Sequence, residues 1–263
     1  MKSAKPRPRR ALAKRETARH YRALQRAYGR QHWWPANSRF EVVLGAFLTQ
    51  NTSWRNVELA LANLRSARAL SLNAIRRMRE QELAKLIRPA GYFRQKAKRI
   101  KNFVAHLDAA HAGSLKRMLG DGSSADALAA AREHLLALNG IGRETADSIL
   151  LYAGHQPIFV VDAYTRRVLE RHRLIQPGAD YDEIRALVEE SFAGRSLPDS
   201  PEKNLGHRTS RMSRAKRSDL AQHYNEFHGL LVQLGKRHCH KRAPICSGCP
   251  LEKFLPKKGV ARG

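Results

Sequence analysis

The sequence predicts an all-α protein, on three observations. Apolar residues recur at i, i+3 and i+4 through most of the 263 positions. Gly and Pro stand between these stretches, as at Pro89-Ala90-Gly91 and Gly120-Asp121-Gly122. The one β-branched run, "PIFVVD", has nothing nearby to pair with and reads as extended backbone entering a helix.

Taken in order, the start "MKSAKPRPRRALAKR" is basic and lacks the apolar stretch of a secretory signal. It reads as a DNA-touching tail, with an Arg-rich transit peptide as the alternative. "RFEVVLGAFLTQ" is almost wholly apolar from Phe40 to Leu48, the pattern of a buried helix. "VELALANLRSAR", "QELAKLIRPAG" and "QKAKRIKNFVAHL" each carry one apolar stripe, as does "HYNEFHGLLVQLGKRHC" near the end. Residues 195–218 are basic, polar and nearly free of large apolar side chains. Such a segment buries too little surface to offset its ordering entropy, so a mobile loop is expected there. No repeat of solenoid period is present.

Charge narrows the function. Forty-nine Lys and Arg against 23 Asp and Glu give +26, an excess that seeks a polyanion, and nucleic acid is the default because each neutralised phosphate releases a counterion. No run of 18 apolar residues is present, so no membrane partner is expected. The three cysteines cluster near the C-terminus. An odd, clustered count argues for a reducing compartment and a metal-type pattern rather than a disulfide framework.

Two motifs carry chemistry. "AAAREHLLAL", then "NGIG", then "RETADSILLYA" reads as helix, hairpin, helix. Gly140 and Gly142 are expected to supply positive φ and close approach. Free amides at the second helix start, with Arg143, suit a phosphate, while an ordinary helix–turn–helix contact is the plain alternative. Beyond it stands "FVVDAYTRRVLER", with the lone carboxylate Asp162. A carboxylate beside a sugar C1′ stabilises the cation formed when a glycosidic bond breaks. It would equally serve as the N-cap of the helix that follows, and the two roles are compatible.

These motifs, with "FEVVLGAFLTQNT" and the terminal cysteines, resemble the helix-hairpin-helix DNA glycosylase superfamily in its endonuclease III branch, from about His32 to Pro250. The resemblance implies two helical lobes with a DNA-binding cleft between them. The first helix, within 1–31, would pack on a C-terminal lobe of 156–263, and 32–155 would form a helical barrel carrying the hairpin. It makes Asp162 the catalytic aspartate, Gln50 the residue filling the gap left by a flipped nucleotide, and Tyr92 the wedge. Arg94, Lys96, Lys98 and Arg99 are expected to meet phosphates. Bifunctional members of the branch carry a lysine where this sequence has Glu144, and a carboxylate forms no imine, so a monofunctional glycosylase is implied. "GIGRETADSILLYA" is most similar to the 3-methyladenine glycosylases of this fold. Trp33, Trp34 and Trp54 would then stack on a cationic base, with core packing as the alternative. Glycosylases for oxidised or mismatched bases, and a non-catalytic DNA-binding module, are the rival readings. The expected partner is double-stranded DNA holding a damaged base, met by a monomer in the cytoplasm at the nucleoid. Cys239, Cys246 and Cys249 match three ligands of the family's iron–sulfur loop within 239–255, but Leu255 stands at the fourth. No cofactor is therefore expected, with a [4Fe–4S] cluster or zinc the lesser possibilities.

Overall fold

The computed structural model describes residues 7–120, 124–195, 201–202 and 209–256. Twelve α-helices run through them: α1 (Arg7–Tyr28), α2 (Arg39–Leu48), α3 (Trp54–Ser66), α4 (Leu72–Arg77), α5 (Glu80–Leu86), α6 (Phe93–His111), α7 (Leu115–Leu119), α8 (Ala125–Leu136), α9 (Arg143–Ser148), α10 (Ala163–Arg171), α11 (Tyr181–Phe192) and α12 (Asp219–Arg237). Among the described residues there is no strand, as the periodicity predicts, and no helix long and apolar enough to cross a membrane.

Two compact units result. The first comprises 1–33, 157–209 and 217–263, and so contains α1 and α10–α12. Its core is aromatic. Tyr21 of α1, Phe192 of α11 and Phe227 of α12 meet with ring centroids 5.0 to 5.5 Å apart. "PIFVVD" runs extended through this unit. Its amides find side chains in place of a neighbouring strand: Phe159 N donates to Glu189 Oε1 at 2.9 Å and Val161 N to the Tyr181 hydroxyl at 3.3 Å. An extended run can be buried only when its amides are satisfied in this way.

The second unit comprises 34–156 and 210–216 and contains α2–α9. Helix α2 is its centre, buried from Phe40 to Leu48, with Phe47 against Phe103 of α6 at 5.6 Å. Ser38 starts α2 by accepting from Glu41 N. Helix α9 continues as a π turn over Ile149–Ala153, and Gly154 ends it where a Cβ would come within 2.6 Å of the Leu150 carbonyl.

The expected mobile loop at 195–218 needs correcting in part. Positions 196–200 and 203–208 lie outside the described residues. Of the rest, 210–216 packs into the second unit: Met212 is buried and its amide donates to the Ala36 carbonyl at 3.0 Å, while Ser210 Oγ bonds Ala36 N and the Trp34 carbonyl. One large apolar side chain and a serine bridge suffice to order a segment that average polarity marks as loop.

Candidate nucleic-acid interface and active site

The hairpin lies in the second unit. Ser124 caps α8, and Ile141 buries itself at the turn. At Gly140 φ is +85°, and a Cβ there would sit 2.2 Å from Arg99 Nε, so this glycine answers both demands the sequence placed on it. Gly142 does not. Its φ is −91°, and a side chain would find open space, because its work is to be the extended N-cap of α9. Arg143 and Glu144 follow it, exposed. Asp147 turns inward and accepts from Arg132 Nε at 2.7 Å and Nη2 at 3.2 Å, fastening α9 to α8.

Gln50 also belongs to the hairpin. Its amide nitrogen donates to the Gly140 carbonyl and to Thr145 Oγ1, both at 2.9 Å, and its oxygen accepts from Arg99 Nη1 at 3.2 Å. The side chain expected to fill a gap in DNA is here engaged at both ends, because a half-buried hairpin carbonyl needs a donor. Gly140→Ala should therefore lower the melting temperature and weaken DNA binding, since it adds positive-φ strain of about 1 kcal/mol and displaces Arg99 from Gln50. Gly142→Ala should cost only about 0.5 kcal/mol as a poorer N-cap. Calorimetry and salt titration of both variants check this, and equal losses would contradict the assignment.

Tyr92 precedes α6 with φ +44°, follows Gly91 at φ +68°, and is 70% exposed. A bulky residue held in the left-handed region and pushed into solvent is strained for no packing gain. The loop is anchored from below by Lys96. This lysine was expected at a phosphate but is buried, donating to the Leu48 and Ala90 carbonyls at 2.9 and 2.8 Å. Burial, and then repulsion from Arg99, pushes its ammonium down to about 8. Helix ends leave carbonyls without partners, and a buried ammonium satisfies two at once. Arg94 and Lys98 remain exposed, whereas Arg99 lies along the hairpin.

The tryptophans divide. Trp34 is buried against Gly45, where a Cβ would meet its ring at 3.0 Å. Trp54 opens α3, half-buried, with Nε1 donating to Glu58 Oε1 at 3.0 Å. The two rings lie 5.1 Å apart at 82°, and Tyr152, on the π turn, lies 5.1 Å from Trp34. Edge-to-face rings attract each other, and at this angle Trp34 and Trp54 do not form two parallel walls. Trp33 belongs to the first unit, beside Gly229 of α12 and with the Lys236 ammonium 5.8 Å from its ring centroid.

Asp162 also lies in the first unit, as the N-cap of α10. Its Oδ1 accepts from Thr165 N at 2.7 Å. Its Oδ2 lies 3.5 Å from Nε2 of His228, on α12, and the carboxyl side chain is 13% exposed. Burial alone would raise its pKa, but attraction to His228 and the Thr165 amide outweigh that and hold it below the usual carboxylate value. The group is thus an ionised, half-immobilised carboxylate. Arg166, in the same motif, donates to the Ala179 carbonyl and so ties down the stretch before α11. Tyr152 and His228 escaped the sequence reading. Each sits inside an apolar stripe, and nothing local links His228 to an aspartate two helices and two loops away.

The cysteine loop closes the first unit. Cys239, Cys246, Cys249 and Leu255 line one cavity of about 330 Å³, counting its open mouth, together with Arg171 and Leu251. Arg171 is buried and donates to Cys239 Sγ at 3.2 Å and to the His240 and Lys241 carbonyls at 2.7 and 2.8 Å. Burial pushes the Cys249 thiol up. Among the described residues no three His, Cys, Asp or Glu side chains are placed to hold a metal ion. With an aliphatic fourth position, this donor set does not fit a four-thiolate cluster.

Comparison with known proteins identifies the family. Residues 44–193 match the model of the HhH-GPD superfamily base excision DNA repair proteins. A Methanocaldococcus jannaschii protein named "Putative DNA repair glycosylase" is 41% identical over 238 residues, 90% of this chain and 94% of that one. The structure of H. pylori 3-methyladenine DNA glycosylase bound to 1,N6-ethenoadenine superposes with a TM-score of 0.65 at 29% identity, covering 84% of this chain and 97% of that one. A non-covalent endonuclease III–DNA complex superposes at 0.69 with 18% identity, over 93% and 95% of the two chains, a likeness of fold.

Proposed function

The chain belongs to the HhH-GPD superfamily of base excision DNA repair proteins, in its endonuclease III-like branch, and from that premise we propose that it is a monofunctional DNA glycosylase. Its substrate in this reading is an alkylated base of the 3-methyladenine type in double-stranded DNA. The observation that carries the chemistry is Asp162, capped, largely buried and kept ionised. As the bond from C1′ to the base nitrogen breaks, its electron pair leaves with the base and positive charge gathers on the sugar. The carboxylate stabilises that charge and orients water, whose oxygen bonds C1′ and whose proton passes to Asp162 or solvent. A base already cationic departs neutral without being protonated, so a single carboxylate suffices. Glu144, exposed at the family's lysine position, cannot form a Schiff base.

The hairpin amides and Arg143 would hold a phosphate, and Tyr92 would enter the stack as the duplex opens. In this reading Arg171 and the packing of Leu251 keep the cysteine loop in shape without a metal. The base class rests on Trp54, which is only half-buried, and on the similarity to an enzyme named for 3-methyladenine. The edge-to-face contact of Trp34 with Trp54 favours a second reading, excision of oxidised or mismatched bases, because it removes one proposed wall.

Duplexes with methylated, oxidised or mismatched bases separate the two when base release and strand nicking are measured independently. Methylated base should be released without nicks, and borohydride should trap no adduct. Trp54→Ala should slow that release about 5- to 150-fold, the worth of one stacking face, with nonspecific DNA binding unchanged. Nicking, release of oxidised base alone, or a destabilised Trp54→Ala that still excises methylated base normally would each refute the corresponding part.

A further inference from the structure

Helix α12 buries polar side chains among its apolar ones, His223, Asn225 and Glu226 as well as His228, and of these His228 is the one that faces a carboxylate of the candidate site. Leu230, Leu231, Leu234 and Phe227 are buried there, and so is His228. Packing alone would be served by another leucine. The imidazole is lodged edge-on to Phe159, with centroids 6.3 Å apart at 77°. The next residue, Gly229, lets the 31–33 stretch come within about 3 Å of where a Cβ would be, so α12 cannot shift outward to release the ring. The ring is therefore held in place, and what it faces is the carboxylate of Asp162.

The division of labour at that carboxylate is informative. The start of α10 needs one acceptor, and Oδ1 supplies it to Thr165 N at 2.7 Å. Capping asks nothing of Oδ2, yet His228 Nε2 stands 3.5 Å from it. That distance exceeds a good hydrogen bond, but contacts of this kind are often long without substrate and tighten when it binds. We propose that His228 is a positioning residue for Asp162, holding Oδ2 while the Thr165 amide holds Oδ1, so that the carboxylate plane is fixed toward the sugar. The inference rests on the reading of Asp162 as the group that meets C1′. Two anchors on one carboxylate stop its rotation about χ2, and a displacement of about 1 Å at a reacting group costs about 10²-fold.

The test compares replacements that keep volume with replacements that keep the N–H. His228→Phe and His228→Met fill the space without a donor, and His228→Gln retains one. With DNA saturating, single-turnover base release should fall about 10- to 100-fold in whichever apolar variant folds, while its dissociation constant for DNA stays near wild type. His228→Gln should recover most of that loss. Melting curves accompany each rate. Equal rates for wild type and a folded apolar variant would overturn the proposal, and so would a loss shared equally by Gln, Phe and Met in step with their melting temperatures. Asp162→Asn run in parallel keeps the two claims apart. If it excises normally, the role of Asp162 itself is wrong. If it is inactive while the apolar His228 variants are not, only the positioning role is lost.

Discussion

Asp162→Asn should lower base excision by two or more orders of magnitude and leave the protein folded. The amide keeps the size of the carboxyl and an oxygen to accept from Thr165 N, so the cap of α10 survives at a cost of a few tenths of a kcal/mol. It removes the charge, and losing one preorganised electrostatic stabiliser costs about 10²–10³ in rate. DNA affinity should hold or rise, because a negative group has gone from a strongly cationic protein. Stability gives an independent check. The folded-state pKa of Asp162 is depressed, so its contribution is present above its ordinary value of 3.8 and is lost as pH falls through the lower folded value. Wild type and variant should therefore differ at neutral pH and converge in acid. Single-turnover release and melting measured on the same preparations decide the matter, and near-normal excision by the variant would end the proposed chemistry.

What the sequence made legible was local. The buried run from Phe40 to Leu48 became α2 because nine consecutive enclosed residues leave no polar face to misplace. The extended "PIFVVD" and the cap at Asp162 were readable for the same reason, since β-branched residues and an aspartate before a helical stripe each act on their neighbours alone. Gly140 was legible and Gly142 was not. A glycine in a turn signals backbone freedom, but which of two glycines uses it depends on Arg99, far earlier in the chain. Lys96 failed for a related reason: a lysine in a basic helix looks solvated until the carbonyls of Leu48 and Ala90 are found beneath it. Trp34 and Trp54 meet edge to face, and ring angle is a property of packing that carries no sequence signal. His228 is the extreme case, a tertiary partner with no local trace.

The same distinction gives the other large effect. In the sequence Asp147 is simply one of two acids, with Glu144, in the stretch that forms α9, where an exposed acid would be worth a fraction of a kcal/mol. In the fold its side chain is fully buried, and Arg132, itself 16% exposed, grips it with two nitrogens. Arg132→Ala should therefore destabilise the second unit by about 3–5 kcal/mol, because it strips the guanidinium from a carboxylate that cannot reach water. Much of that cost belongs to the stranded charge rather than to the lost attraction. Replacing both residues, Arg132→Ala with Asp147→Leu, should accordingly recover a large share of it, since an apolar pair carries no such penalty. The hairpin offers a functional readout. Helix α9 spans only Arg143–Ser148 before its π turn, so this pair is a principal tie between the two arms that would present Arg143 to a phosphate. Arg132→Ala should weaken duplex binding even below its melting transition, and the double variant should regain stability more fully than binding, because an apolar contact fixes the helix angle less strictly than a bidentate fork. Denaturant melts and salt-dependent binding on both variants measure this. An Arg132→Ala protein as stable as wild type would show that the buried pair does not hold the hairpin.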